Sequence, residues 1–428
     1  MKLIILAGGK GIRLNLSTIP KPMVKIGGKP ILEHQIDLVR RYGITEIFLL
    51  TGYLANVIYD YFGDGEKFGV KITHLIEPYP MGTGGCLRLV KNLIGQEERF
   101  MVFSGDVILN VDLGKIIEED QKKKSIATLV VHPNNHPYDS DLVEMDSDQR
   151  IIAFHPKPHP EGFYYSNLAI ASIYILSGQI FKYIPSGQFS TFEKNILPML
   201  LSKGEFVAGY RSSEYIRDMG TPDRLRRVKK DYVSGKVARL NKKNKRRAIF
   251  LDRDGVINKY VDNLSKIDDF KLTDGCSEAI NKINKSEYLS IVITNQPMIA
   301  KGFLSEKELR EIHKKMDTLL GKNQSYLDGV YYCPHHPQGG FKGEIKELKI
   351  ECDCRKPKIG MFLQAARDFN IDLKESWKIG DDERDLIAGK NAGCRTVYLN
   401  PKMEKNQYAD FVFKDLPSAI KFVLNYNK

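Results

Sequence analysis

The chain has 428 residues, 42% of them hydrophobic and 28% charged, an ordinary globular composition with room for two or three domains of about 150 residues each. No stretch approaches the roughly 20 apolar residues of a membrane span, and the apolar run in residues 1–8 is too short for a signal peptide, so a cytoplasmic protein with no membrane partner is expected. Lys and Arg number 65 against 53 Asp and Glu, a formal net charge of +12. Such a surface attracts nucleotides, sugar phosphates and nucleic acids alike. The excess, however, sits in 122–124 and 224–247 without interleaved aromatic residues, and a solvated surface or linker is the simpler account.

In chain order, apolar runs at 3–6, 47–50, 72–76 and 101–103 read as strands separated by amphipathic stretches, the pattern of a parallel α/β sheet. Pro30 suits a first helical turn, with Leu32, Ile36 and Val39 at helical spacing and Gly43 as a stop. After Gly220-Thr221-Pro222 the pattern becomes a basic helix, and Asn241-Lys242-Lys243-Asn244-Lys245-Arg246-Arg247 is a polar run that reads as a junction. Expected boundaries are therefore a first domain at 1–230, a basic linker at 231–247 and a second domain at 248–428. The second α/β pattern opens with a buried strand at 248–251 that delivers Asp252, followed by strands at 290–293 and 377–379. Ligands bind at the carboxyl ends of such strands.

Gly8-Gly9-Lys10-Gly11 after the first strand lets backbone N–H groups approach phosphates, with Arg13 as a permanent cation. Alone it could be a tight turn. Pro20-Lys21-Pro22 then holds a lysine in a stiff loop suited to a second phosphate. Together these resemble the nucleotide-sugar pyrophosphorylase superfamily, with Ile12 where that family has Thr or Ser. The resemblance continues in order: Glu77 through Gly82, Thr83, Gly84 and Gly85 for the nucleobase and ribose, Phe103-Ser104-Gly105-Asp106 for a Mg²⁺ carboxylate, Phe192-Glu193-Lys194 for the sugar and its 1-phosphate, and Arg217-Asp218 for a second Mg²⁺ carboxylate. It covers about residues 1–230 and implies Gly8, Gly9, Gly11, Glu77, Gly82, Thr83, Gly84, Glu193 and Lys194 as substrate contacts, with Arg13 and Lys21 in catalysis. A sugar-1-phosphate oxygen would attack the α-phosphorus of a nucleoside triphosphate and release pyrophosphate. The family's Asn-Ala-Gly-Ile-Tyr is Ile170-Ala171-Ser172-Ile173-Tyr174 here, so its sugar-contacting Asn is missing; Asn167 is a replacement.

Asp252-Arg253-Asp254-Gly255 places two carboxylates two residues apart after a strand, one able to attack phosphorus and one to handle a proton. An isolated Asp-x-Asp is commonly a turn. Here Thr294-Asn295-Gln296, Arg355-Lys356-Pro357 and Gly380-Asp381-Asp382 follow, and the set resembles the haloacid dehalogenase phosphatases. That resemblance implies Asp252 as nucleophile, Asp254 as acid and base, Thr294 and Lys356 on the phosphoryl group, Asn295 and Arg355 on substrate, and Mg²⁺ on Asp252, Asp254 and Asp381.

Six cysteines in a chain of this size do not suggest a disulfide framework. Cys333, His335, Cys352 and Cys354 have the ligand types and spacing of a closed structural Zn²⁺ site in a reducing compartment; free buried cysteines are the bland alternative, and His336 is a neighbouring spare ligand. The arrangement resembles an insertion in the heptose-bisphosphate and histidinol-phosphate phosphatases. Two departures stand out: Pro297-Met298 replaces a Ser-Gly pair, and Asp382 stands where a Lys often follows Asp381.

The two resemblances imply two Rossmann-like three-layer α/β domains, a nucleotide-diphospho-sugar transferase fold and then a haloacid dehalogenase-like fold with a zinc loop. They imply an enzyme that takes heptose bisphosphate to heptose 1-phosphate and couples it to GTP, feeding capsule, S-layer or lipopolysaccharide assembly. Alternatives are a hexose-1-phosphate transferase with another small-molecule phosphatase and, from a different class, a nucleic-acid binding or end-processing protein, for which the chain carries no recognised module. Oligomeric state is not legible.

Overall fold

The structure, a computed structural model, describes residues 1–11, 14 and 18–426. The chain forms two units whose boundaries do not follow it end to end. Unit 1 is Met1–His132, Asp141–Lys157 and Leu168–Asn241; unit 2 is Pro133–Ser140, Pro158–Asn167 and Lys242–Lys428. The boundaries expected from sequence need two corrections. Two arms from the first half of the chain fold with unit 2, and residues 231–241 belong to unit 1 rather than to a linker, because Val237 is buried beside Ile26, Ile31, Tyr215 and Val228. The junction falls between Asn241 and Lys242, inside the polar run.

In unit 1 the strand Lys2–Ala7 lies between Glu46–Thr51 and Arg99–Ser104, parallel to both, and Glu46–Thr51 is parallel to Lys71–Ile76. Leu3, Ile4 and Ile5 are all fully buried, as expected for a parallel strand covered on both faces. The sheet then becomes mixed, since Ala169–Ser177 runs antiparallel to both Arg99–Ser104 and Ala127–His132. The helix Ile31–Arg40 follows Pro30 and buries Leu32, Ile36 and Val39, and Gly43 adopts a φ of +73° just beyond its end.

Unit 2 holds a six-stranded parallel sheet in the order Gly329–Cys333, Tyr288–Asn295, Arg247–Leu251, Trp377–Gly380, Arg395–Leu399, Phe411–Phe413. Chain order reverses on either side of Arg247–Leu251. That reversal leaves a crevice at the carboxyl ends of the central strands, where Asp252, Asn295 and Asp381 emerge.

The arms are tied to the helix Glu306–Lys322 of unit 2. Tyr165 N donates to Thr318 Oγ1 at 3.0 Å and Asn167 N to Asp317 Oδ2 at 3.0 Å. His159 joins one arm to the other, its Nε2 lying 3.0 Å from the Ser140 carbonyl oxygen. Asn167 is buried, with Nδ2 donating to Asn134 O and Oδ1 accepting from Asn134 N. Its amide braces unit 2, so the structure gives it no role as a substitute sugar contact. Among the described residues no helix is long and apolar enough to cross a membrane.

Candidate active sites

The register of unit 1 pairs Ala7 with Thr51 and Leu6 with Ser104, so three strands end side by side. The loops that leave them line a cleft of about 620 Å³ that includes Gly8, Gly9, Gly11, Lys21, Glu77, Gly82, Thr83 and Asp106. Two glycines are required by close approach. A Cβ on Gly8 would collide with the Glu77 carboxylate, and Gly11, at φ +63°, leaves room for the Lys21 stem. Lys21 Nζ pairs with Asp106 Oδ2 at 2.8 Å, and Ser104 Oγ donates to Asp106 Oδ1 at 2.7 Å. Glu77 accepts from Met81 N at 3.1 Å, yet burial still pushes its pKa up.

Other sequence-derived residues stand apart from this cleft. Glu193 accepts from the Tyr174 hydroxyl and, at 3.2 Å, from Thr83 Oγ1, so it supports the cleft wall through Thr83. Gly84 is buried against Phe192 and Ile196. Lys194 is exposed and does not line the cleft. Asp218 also does not line it: Arg224 Nη1 holds both its oxygens, at 2.8 and 2.9 Å. Its strand nonetheless pairs Asp218 with Val107, next to Asp106. Arg13 lies outside the described residues. Sequence reasoning missed Tyr53 and Phe189 in the cleft lining, for which no local pattern gives a signal; the third aromatic there, Tyr79, falls inside the 77–85 segment expected against the nucleobase and ribose. Ser172 adopts φ +54° where the ladder between Ala169–Ser177 and Ala127–His132 shifts register, which explains the glycine at that place in the resembling family.

Unit 2 has a second cleft of about 570 Å³, lined by Asp252, Asp254, Thr294, Asn295, Arg355, Lys356 and Asp381 among others. Lys356 Nζ lies 2.8 Å from Asp252 Oδ1 and 2.6 Å from Asp385 Oδ1, and donates to Ile293 O at 3.1 Å. Burial opposes the charge on Asp252, but Lys356 and Lys378 outweigh it and hold the pKa below the usual range. Lys356 is likewise pushed up despite burial, by Asp252 and Asp385. Both stay charged in a buried site, where an unpaired ion would be costly.

Asp252, Asp381 and Asp385 bring carboxylate oxygens within 4.8 Å of one another. The third acid of this group is Asp385, not Asp254 as expected. Asp254 is instead forked by Arg253 Nη2 at 2.9 and 3.0 Å and receives Asn258 Nδ2 at 3.0 Å and Gln296 Nε2 at 2.9 Å. Burial, then the charges of Asp252 and Asp385, push Asp381 up to about 7, and Asp385 Oδ2 is buried without a hydrogen-bond partner. Concentrated negative charge with an orphaned oxygen suits a divalent cation. Gly255, at φ +81°, is the position that lets the Asp381 carboxylate approach the loop. Asn295 turns to the backbone, accepting from Lys356 N at 3.0 Å and donating to Lys356 O at 3.1 Å. It therefore positions Lys356. Asp385 and Gln296 were missed: Asp385 sits in the first turn of the helix Glu383–Asn391 that follows Asp381, and its sequence position alone does not show that it is buried against Lys356. Met298 is buried in the core and Pro297 lines the cleft.

The Cys333, His335, Cys352 and Cys354 ligand atoms also lie within 4.8 Å of one another. Cys354 Sγ is 3.1 Å from Cys333 Sγ, 3.3 Å from Cys352 Sγ and 3.3 Å from His335 Nδ1. Hydrogen bonding among the crowded thiols, with Cys333 first, holds the Cys354 thiol below its usual range against burial. Three sulfurs and an imidazole at these separations fit a tetrahedral metal with bonds of about 2.3 Å to sulfur. His336 is outside the group; its Nδ1 faces Gln338 O at 3.2 Å.

Strand-end glycines in one unit and a buried carboxylate–lysine network in the other define a phosphate-handling α/β enzyme with two separate centres. The nucleotidyl transferase family matches residues 2–235, and the HAD-hydrolase-like family matches residues 353–417. The D-glycero-beta-D-manno-heptose-1,7-bisphosphate 7-phosphatase of Haemophilus ducreyi is 39% identical over 184 residues, 42% of this chain and 98% of that protein. Its Haemophilus influenzae counterpart is 45% identical over 183 residues, 41% of this chain and 97% of that protein. Among solved structures, HddC from Yersinia pseudotuberculosis aligns with 54% of this chain and 99% of its own, at 27% identity and a TM-score of 0.47. The chain belongs to the nucleotidyl transferase family and, joined to it, to the family of these phosphatases. It is an enzyme on both counts.

Proposed function

We propose that the chain is a bifunctional enzyme of heptose activation. Unit 2 hydrolyses the 7-phosphate of D-glycero-D-manno-heptose 1,7-bisphosphate, and unit 1 couples the resulting heptose 1-phosphate to GTP, giving GDP-heptose and pyrophosphate. The observation that carries this reading is the near-complete coverage of heptose-bisphosphate phosphatases on a chain whose other half is a nucleotidyl transferase. GTP rests on the likeness of the first half to heptose-1-phosphate and mannose-1-phosphate guanylyltransferases. A 7-phosphatase leaves C1 untouched, so both units must accept one anomer; the relatives' names carry β, whereas a guanylyltransferase partner suggests α.

In unit 2, an Asp252 oxygen attacks the 7-phosphorus and the bond to the sugar oxygen breaks, with Asp254 supplying the proton to the leaving alkoxide. Asp254 then takes a proton from water, which attacks the aspartyl-phosphate, releases phosphate and restores Asp252. Arg253, Asn258 and Gln296 hold Asp254 in place. Lys356 stabilises the nucleophile and the phosphoryl oxygens, and Thr294, buried at the strand end, contributes its hydroxyl. Mg²⁺ held by Asp252, Asp381 and Asp385 would neutralise phosphoryl charge. Zn²⁺ on Cys333, His335, Cys352 and Cys354 would close the loop that carries Arg355. All six cysteines are free, in keeping with a reducing cytoplasm.

In unit 1, the backbone of Gly8, Gly9 and Gly11 receives the triphosphate and Lys21 offsets charge as the sugar-phosphate oxygen bonds to the α-phosphorus and pyrophosphate leaves. Asp106 and Asp218 are neighbours through the ladder, but each is balanced by a protein cation. A divalent ion there competes with Lys21 and Arg224, and no step is assigned to it.

Reciprocal variants test the two-centre reading. Asp252→Asn is expected to lower phosphate release from heptose bisphosphate by about four orders of magnitude and to spare pyrophosphate release from GTP and heptose 1-phosphate. Asp106→Ala, which takes away the partner that holds Lys21, is expected to lower pyrophosphate release and to spare phosphate release. Loss of both activities in either variant contradicts two independent centres.

A further inference from the structure

Asp254 is held from behind by a side chain that makes one further contact. Arg253 is fully buried, and its guanidinium meets Asp254 through Nε at 3.2 Å and through Nη2 at 2.9 and 3.0 Å. Its remaining nitrogen, Nη1, lies 3.4 Å from His313 Nε2, the one acceptor that the described residues offer it. A guanidinium only donates, so Nε2 is the unprotonated nitrogen of a neutral ring whose proton sits on Nδ1. Burial first, then Arg253, keep the ring neutral by pushing its pKa down to about 3.

The place of His313 is set away from the cleft. It stands on the helix Glu306–Lys322, which opens with a reciprocal cap between Ser305 and Glu308 and whose buried face includes Leu309, Ile312 and Met316. The Tyr332 ring meets the imidazole edge-on, with 6.1 Å between centres. Arg253 and Asp254 line the cleft and His313 does not. Because a guanidinium is planar, an acceptor on Nη1 sets the plane in which Nε and Nη2 reach the carboxylate. The Asp254 side chain keeps 24% exposure, so the fork fixes it while leaving it open to the cleft it lines.

We propose that His313 is a positioning residue of the phosphatase: through Arg253 it aims the Asp254 carboxyl at the oxygen of the leaving alkoxide. The inference rests on the reading of Asp254 as the acid and base of unit 2. In the first step Asp252 bonds to phosphorus, the bond from phosphorus to the sugar oxygen breaks, and the Asp254 proton passes to that oxygen. With the guanidinium free to turn, the carboxyl samples orientations from which this transfer fails.

The test is made on the full chain, with Trp377 emission as the check that unit 2 of each variant is folded. His313→Phe keeps a ring against Tyr332 and removes the acceptor. It is expected to lower kcat for heptose 1,7-bisphosphate about tenfold, the worth of a hydrogen bond from a charged donor, with KM changed less than about twofold. His313→Gln, which offers an acceptor at the same reach, is expected to restore most of the rate. Arg253→Lys is expected to lose at least as much as His313→Phe, and combining the two to cost less than about twofold more, because the imidazole acts through the guanidinium. With p-nitrophenyl phosphate, whose anion leaves without a proton, kcat/KM of His313→Phe is expected to fall less than about threefold. Where His313→Phe fails the fluorescence check, His313→Asn, too short to reach Nη1, takes its place with the same expectations. Losses that multiply in the double variant, an unaltered rate in His313→Phe, or equal losses on the two esters overturn the proposal. Wild-type protein that releases phosphate from neither ester, while unit 1 makes pyrophosphate, overturns the phosphatase reading instead.

Discussion

The centre of unit 2 is buried and densely charged: Asp252, Lys356, Lys378 and Asp385 are all at most 9% exposed, and each faces an opposite charge. The cleft of unit 1 is lined instead by glycines, three aromatic rings and one lysine–aspartate pair. The difference lies in where complementarity to phosphate comes from. In unit 2 it comes from side chains whose charges are locked by one another, so removing one leaves the rest uncompensated. In unit 1 much of it comes from backbone N–H groups that any substitution retains, provided the chain can still pass Glu77 and Lys21.

The largest test of that contrast is the Cys/His loop of unit 2, which among the described residues has no counterpart in unit 1. Cys354→Ser is expected to remove about one zinc per chain by elemental analysis and to lower phosphatase activity at least about tenfold, because Arg355 loses its anchor. Pyrophosphate release by unit 1 should persist. A variant that keeps full phosphatase activity without zinc separates the loop from the site.

A smaller effect sharpens the electrostatic side. His313 is buried beside Arg253, and burial first, then the guanidinium, push its pKa down to about 3 from 6.5. Protons therefore bind the unfolded chain more tightly. The neutral ring's contribution is complete above pH 6.5 and is lost as pH falls from there toward 3. By pH 5 about 2 kcal/mol of it is gone. The only tryptophan, Trp377, is fully buried in unit 2, so its fluorescence follows that unit alone. His313→Phe should flatten the acid limb of the Trp377 transition.

The smallest effect concerns the arms. Thr318→Ala removes the acceptor for Tyr165 N and is expected to destabilise the Trp377 transition by about 1 kcal/mol. No shift would mean that the arm adds nothing to the stability of unit 2.

The strands that carry chemistry were legible because each is a short apolar run ending on its motif, as at 3–6 before Gly8 and 248–251 before Asp252. The arms were not. Residues 133–140 and 158–167 owe their place to long-range hydrogen bonds with Thr318 and Asp317, which no local pattern encodes. For the same reason Asn167 could be offered as a sugar contact when its amide is closed on Asn134. Within the phosphatase cleft, Asp252, Thr294, Lys356 and Asp381 could be placed by motif. The partners that hold them, Asp385, Gln296 and Arg253, could not be ranked without burial. Lys194 and Asp218 show what a motif leaves open: it does not encode that the first side chain is exposed or that the second is held by Arg224.

The most direct measurement of the central claim is a ³¹P NMR time course on the full chain with GTP and Mg²⁺, run in parallel with the α and β anomers of heptose 1,7-bisphosphate. Loss of the 7-phosphate resonance followed by the diphosphate signals of a GDP-sugar, with one and the same anomer, is the predicted result. If the bisphosphate stays intact while mannose 1-phosphate reacts with GTP in a third tube, the heptose assignment is wrong and unit 1 is a hexose-1-phosphate transferase.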